Sequence, residues 1–211
     1  MGKVIMIDEN QIEVLNEQYK SAAPAKIIKK ALELSTEAVV TTNFRPYEAA
    51  ILHAVSKVES QIPVVWCDTG YNTPQTYKHA EQVISDLGLN VFLYVPKQTS
   101  AHRDVVMGIP SIDSPKHALF TEQVKLEPFK RAMDEHKPQV WFTNLRQGQT
   151  AFRNSIGIFS LSKDGILKVS PFYYWSDEKL DTYLSNNNLP NEFKYFDPTK
   201  ALENRECGLH A

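Results

Sequence analysis

The chain is poor in cysteine, with two in 211 residues, Cys67 and Cys207. Two thiols cannot build a disulfide framework or a four-thiolate metal site. Long apolar runs are missing too. No stretch approaches the ~18 consecutive apolar residues of a membrane-spanning helix. The opening MGKVIMIDEN holds no apolar run of signal-peptide length, and Met6 stands where a myristoylation pattern needs Ser or Thr. A reducing cytosol is therefore the expected compartment. Neither charge sign is in excess: 23 Lys+Arg against 25 Asp+Glu leave a formal charge of −2. That balance argues against a dedicated nucleic-acid binder and leaves room for a local basic pocket. The glycine-rich fingerprints GxxxxGK[ST] and GxGxxG do not occur, and there is no internal repeat or low-complexity tract.

What is present is an ordinary apolar fraction, 42%, in a chain long enough to bury a core without covalent staples. Short β-branched runs alternate with amphipathic stretches. Helices are expected over 10–22 and 25–34, the second with Ile27, Ile28, Ala31 and Leu32 on one side. Strands are expected over 38–42, 62–67, 90–95 and 139–143, with a hairpin over 157–161 and 166–170. Pro46 and Pro74 are expected to open the helices over 47–58 and 74–87. Residues 97–114 read as a long loop, and 116–136 as helical with an interruption at Pro128. Ser176 can cap a short helix to 184. Strands alternating with helices imply an α/β domain, a mostly parallel sheet flanked by helices, over 1–190. Residues 191–211 lack periodicity and read as a flexible C-terminal tail.

In open parallel sheets, ligands bind outside the carboxyl ends of the strands. That rule selects the segments after 42, 67, 95 and 143. The first, Thr41-Thr42-Asn43-Phe44-Arg45-Pro46-Tyr47, joins a strand to a helix N-terminus. Its hydroxyls, backbone N–H groups and Arg45 could form an anion site, or simply a capped turn. In Cys67-Asp68-Thr69-Gly70-Tyr71, Asp68 could bind a ribose or base and Tyr71 could stack, or Asp-Thr-Gly could be only a turn. Cys67, following a strand core, reads as a small hydrophobe. Residues 143–154 carry Arg146 and Arg153, whose guanidinium forks match phosphate geometry; the competing reading is a solvated loop. In the tail, Cys207 lies beside Arg205 and near His210, neighbours that can hold a thiolate.

These segments, taken together, resemble a known family. Arg205-Glu206-Cys207-Gly208-Leu209-His210 resembles the C-terminal (R/T/K)ECGLH signature of the sulfonucleotide reductases. VVWCDTGYNTPQTY resembles their DTGY motif, NLRQGQTAFR their GLRREQSxxR segment, and LKVSPFYYWS their (F/L)K(V/I)xP stretch. TTNFRPYEAAIL lies where the family carries its SSFGxQ-type PP-loop. The resemblance covers residues 26–210 and implies a Rossmann-like PP-loop fold. It also implies reduction of 3′-phosphoadenylyl sulfate to sulfite in assimilatory sulfate reduction. Cys207 would take the sulfo group as an S-sulfocysteine, and thioredoxin or glutaredoxin would release sulfite. Arg205 and His210 would be its electrostatic neighbours. Arg146 and Arg153 would hold the phosphosulfate, and Thr41, Thr42, Arg45, Asp68 and Tyr71 the nucleotide. No cofactor is implied, and a homodimer is a common state in that family. Two cysteines cannot carry the four-iron cluster of the adenylyl-sulfate branch, so the cluster-free branch is the better match. The chain departs from the family pattern in three places. Asn43-Phe44-Arg45 replaces Ser-Phe-Gly. Asn144, Gln147 and Gly148 replace a Gly, an Arg and a Glu. Only nine residues separate Tyr195 from Arg205, where the family carries a GYxSxGDxxxT motif. A diverged adenine-nucleotide-binding protein with a regulatory role is the alternative reading. An ATP pyrophosphatase would need an SGGxDS loop that is not there.

Overall fold

A computed structural model describes residues 7–150 and 152–200. Two helices lead in: α1 (Glu9–Tyr19), closed by a reciprocal capping box between Asp8 and Gln11, and α2 (Pro24–Leu34). The alternation then runs β1 (Ala38–Thr42), α3 (Glu48–Ser56), β2 (Val64–Cys67), α4 (Pro74–Leu87), β3 (Val91–Tyr94). Next come α5 (Ser100–Val106), α6 (His117–Thr121), a π-turn (Glu122–Leu126), α7 (Glu127–His136) and β4 (Val140–Phe142). A 3-10 turn (Phe152–Ser155), β5 (Phe159–Leu161), β6 (Leu167–Val169) and α8 (Asp177–Asn186) complete the described elements.

The six strands form one sheet in the order β3-β2-β1-β4-β6-β5. All pairs are parallel except β5–β6. This is the α/β, mostly parallel sheet expected from the sequence. The chain builds outward from β1 to β3, then returns to β1's other side with β4, so the strand order reverses between β1 and β4. A crevice opens at such a reversal because the flanking connections leave toward opposite faces.

Period-two alternation divides the strand side chains between two cores. Val40, Val64, Trp66, Phe142 and Val169 point into the larger core with α2, α3, α4 and α8. Val39, Val65, Tyr94 and Trp141 point the other way, onto Phe129, Ala132 and Met133 of α7. Burial on both faces is why β1, β2 and β4 read as continuous apolar runs, whereas β3, at the sheet edge, leaves Phe92 and Leu93 exposed.

Three local expectations are corrected. Residues 97–114 are not a featureless loop, because α5 lies within them, its N-cap Thr99 accepting from the His102 backbone N–H. Its seven residues, about two turns, are too short to show a helical period. Pro46 does not open α3. The N-cap is Tyr47, held in the left-handed region at φ 70°, so the turn is one residue longer than a proline-initiated one. Pro128 does not itself break the helical run, because it falls in the first turn of α7, directly after the π-turn. The break in the α-helical pattern comes earlier, at the π-turn.

Candidate active site

The first cleft lies at the strand-order reversal. Its about 830 Å³, including the open mouth, is lined by residues that follow or end β1, β2 and β4 and by residues of the π-turn and α7. One wall is apolar, made by Val65, Cys67, Phe129 and Trp141, with the Phe129 and Trp141 rings 5.1 Å apart. Trp141 Nε1 donates to Thr41 Oγ1 at 2.9 Å, so the indole and β1 hold each other in place. The rest of the lining is polar: Thr41, Thr42, Asn43, Arg45, Glu48, Thr69, Asn72, Lys125, Arg153, Tyr195, Asp197 and Lys200.

The turn between β1 and α3 is organised by one carboxylate. Glu48, 5% exposed in the first turn of α3, accepts from Thr42 Oγ1 and the Asn43 backbone N–H, both at 2.8 Å. Its other oxygen accepts from Arg45 Nε at 2.9 Å. Arg45 also reaches across to the Asn144 carbonyl, 3.3 Å away, and so ties the loop after β1 to the loop after β4. The residue that stands in place of a family glycine is therefore a bridge between the two loops. The left-handed conformation is adopted by Phe44 (φ 52°) and Tyr47 instead. A non-glycine residue held there costs ~1–2 kcal/mol. The surroundings over-determine both: Phe44 is 1% exposed against Trp66, and the Tyr47 N–H donates to Asn191 Oδ1 at 2.8 Å.

The turn after β2 is organised by Asp68. Its carboxylate accepts from the Gly70 N–H at 2.9 Å, Asn72 Nδ2 at 2.8 Å and the Tyr77 hydroxyl at 3.0 Å. Burial, then the charge of Asp68, pushes the Tyr77 phenol up to about 12. Asp68 is thus spent on the turn and is not among the cleft-lining residues; its neighbours Thr69 and Asn72 are. Tyr71 lies elsewhere, its hydroxyl donating to Asp104 at 2.8 Å and its ring against Phe120. Burial pushes the Cys67 thiol up to about 12, as expected of a small hydrophobe.

A second cleft, of about 1,060 Å³ with its open mouth, adjoins the first and shares Arg45, Arg153 and Lys200 with it. Arg146, Gln147, Gly148, Gln149, Thr150, Trp175, Ser176 and Asp177 form the rest of its lining. Arg153 is 4% exposed and donates to Gln149 Oε1. Thus Thr41, Thr42, Arg45, Arg146 and Arg153 converge on this double cleft, while Asp68 and Tyr71 stand outside its lining. Arg205, Cys207 and His210 lie outside the described residues.

Among the contributors that sequence reading missed, four come from the π-turn and the segment after residue 190. Lys125 comes from the π-turn, a backbone irregularity with no periodic signature. Its Nζ is ion-paired with Asp197 and reaches Thr199 Oγ1 at 3.4 Å. Burial pushes the Asp197 carboxyl up, but the charge and hydrogen bonds of Lys125 and Thr199 outweigh it and hold it below the usual carboxylate value. Tyr195, Asp197 and Lys200 belong to a strap, residues 191–200, that the sequence assigns to a tail. The Lys194 carbonyl accepts from Thr73 Oγ1 at 2.6 Å, and the Tyr195 hydroxyl meets the Asn43 amide at 2.7 Å. Among the described residues, no group of three or more His, Cys, Asp or Glu is placed to hold a metal, and no helix is long and apolar enough to cross a membrane.

Comparison with known proteins agrees with this architecture. A phosphoadenosine 5′-phosphosulfate reductase of Photobacterium profundum is 27% identical over 95% of this chain and 88% of its own length. One of Vibrio cholerae is 30% identical over 83% of this chain and 70% of its own. In fold, the chain is similar to a phosphoadenylyl-sulfate reductase of Candida auris, crystallised as a phosphate complex. That match has a TM-score of 0.78 at 23% identity and covers 90% and 91% of the two chains. An NH3-dependent NAD synthetase of Campylobacter jejuni shares the sheet at a TM-score of 0.56 and 10% identity, covering 89% of this chain and 76% of its own. The family model for the phosphoadenosine phosphosulfate reductase domain matches residues 37–196, which include the lining of both clefts except Asp197 and Lys200, and the chain belongs to that family of oxidoreductases.

Proposed function

We propose that the double cleft binds 3′-phosphoadenylyl sulfate and that the chain reduces it to sulfite, releasing adenosine 3′,5′-bisphosphate. The observation that carries this reading is the meeting of Arg45, Arg153 and Lys200 where the two clefts join, at the carboxyl edge of the sheet. The apolar wall of Val65, Phe129 and Trp141 suits a purine face. The cations beside it suit a phosphosulfate, whose leaving phosphate gains charge in the transition state. Fixed guanidinium groups in a sheltered site stabilise that charge without reorganising.

Cys207 supplies the nucleophile in this reading. Its thiolate attacks the sulfur; the S–O bond to the nucleotide phosphate breaks, and that oxygen keeps the electron pair. The products are the nucleoside bisphosphate and an S-sulfocysteine. A thiolate of thioredoxin or glutaredoxin then attacks Cys207 Sγ and expels sulfite. The reductant's second thiol resolves the mixed disulfide and leaves the reductant oxidised. Cys207 stands seven residues past Lys200. Seven residues span at most ~25 Å, so the strap tethers the thiol within reach of the cleft. A reducing cytosol suits a free thiol and this class of reductant.

Mass spectrometry after incubation with 3′-phosphoadenylyl sulfate tests the reading. A sulfo adduct on Cys207, and loss of sulfite formation in Cys207→Ser, are expected. Normal turnover by Cys207→Ser would sink the mechanism. Nucleotide binding without sulfite formation, in the presence of a competent thioredoxin, would favour a binding protein over a reductase.

A further inference from the structure

We propose that Asp177 is a displaceable competitor for the anion at Arg146, and so sets how tightly the second cleft holds its substrate. This deepens the reading above and rests on it for the nucleotide, though not for the anion. Arg146 follows β4, and its side chain is 11% exposed. Its Nη1 forms an ion pair with Asp177 Oδ1 at the start of α8. Two contacts hold the guanidinium independently of that carboxylate. Nη1 also donates to the Trp175 carbonyl at 3.4 Å, and the group stacks over the Tyr47 ring at 5.2 Å. Asp177 has the opposite character. Its side chain is 64% exposed, and Arg146 is its one ion-pair partner among the described residues.

The pair is therefore asymmetric: a fixed, sheltered cation and a carboxylate free to swing into water. Arg146 Nε is buried and has no partner among the described residues. Asp177 leaves that donor unsatisfied, whereas a tetrahedral phosphate or sulfate offers more oxygens to the same guanidinium. An incoming anion meets a negative charge already seated at the fork and must displace it. The contrast with Glu48 sharpens the point. Glu48 is also paired with an arginine of the clefts, but it is buried and accepts from Thr42 and Asn43 as well, so it belongs to the scaffold.

Calorimetric titration of the full chain with inorganic sulfate and with adenosine 3′,5′-bisphosphate tests this. Asp177→Asn is expected to tighten both ligands about two- to fivefold, the scale of losing one weak exposed pair. The gain is expected to vanish in an Arg146→Gln background. Binding that is weaker or unchanged in Asp177→Asn, with its thermal midpoint retained, would overturn the proposal, because Asp177 would then position Arg146 rather than compete for it. Should Asp177→Asn not fold, Asp177→Ser, which also suits a helix start, is read in the same way. Tighter sulfate binding with no nucleotide bound by any variant would leave the competition standing and sink the nucleotide reading. No binding of either ligand to any variant would sink both.

Discussion

Single residues decide what each strand end can do. Asp68 and Glu48 are both acids just past a strand, yet each is fully used by its own turn. They shape the loops that present Thr69, Asn72, Asn43 and Arg45. Cys67 sits in the cleft wall, but a thiol pushed up to about 12 carries only about one part in ten thousand thiolate at pH 8. Native Cys67 should therefore resist iodoacetamide at pH 8 and react readily once the chain is denatured, as peptide mass spectrometry would show. Fast labelling of the native protein would contradict the burial argument. Asp197 makes a second residue-scale prediction. Its folded pKa is depressed, so its stabilisation is fully present above the unfolded value of ~3.9 and is lost as pH falls through the lower folded value. Asp197→Ala leaves Lys125 as a buried cation without its partner and should cost ~3–5 kcal/mol near neutral pH. Urea unfolding from pH 3 to pH 7 should show that difference shrinking toward the acid end. The inertness of Cys67 was legible from its place at a strand end, whereas the Asp197 behaviour was not, because nothing in the sequence brings Lys125 to Asp197.

At the scale of elements, the legible parts are those whose pattern is local. β1 carries its β-branched run, α4 carries Thr73-Pro74 at its start, and α8 carries Ser176 as its cap. The strap had no such pattern. It is held by side chain-to-backbone bonds from Thr73, Thr76 and Asn191, which connect positions far apart in sequence. Thr73 serves twice, accepting from the Thr76 N–H as the α4 cap and donating to the Lys194 carbonyl. Thr73→Ala removes both and should cost ~1–2 kcal/mol. Limited proteolysis should cut residues 191–200 faster in that variant, while the α8 helix keeps its protection. Equal cleavage of both variants would show that the strap does not depend on this bond.

For the whole molecule, the sheet reversal is the organising event. It brings the loops after β1, β2 and β4 to one edge, and the π-turn and strap close the crevice from the sides. The expected boundary near residue 190 makes a molecular-scale prediction. A chain ending at Lys200 should keep its thermal midpoint within a few degrees and still bind adenosine 3′,5′-bisphosphate, but lose sulfite formation. A chain ending at 190 should fall well below it, because Lys125 then lacks Asp197. Similar midpoints for the two truncations would mean that the strap is dispensable to the fold.

The sequence by itself determined the strand–helix alternation, the parallel sheet, and the strand ends where function could reside. Those depend on side-chain periodicity and short motifs, which are local. It also carried the ECGLH and DTGY signatures. Only the tertiary structure decided which residues share a cleft. It turned Asp68 inward and set Tyr71 outside, made Arg45 a bridge, and seated Lys125 against Asp197 and Arg146 against Asp177. Such pairings join residues 30 to 100 positions apart. They follow from how the strand order reverses, which no local pattern encodes.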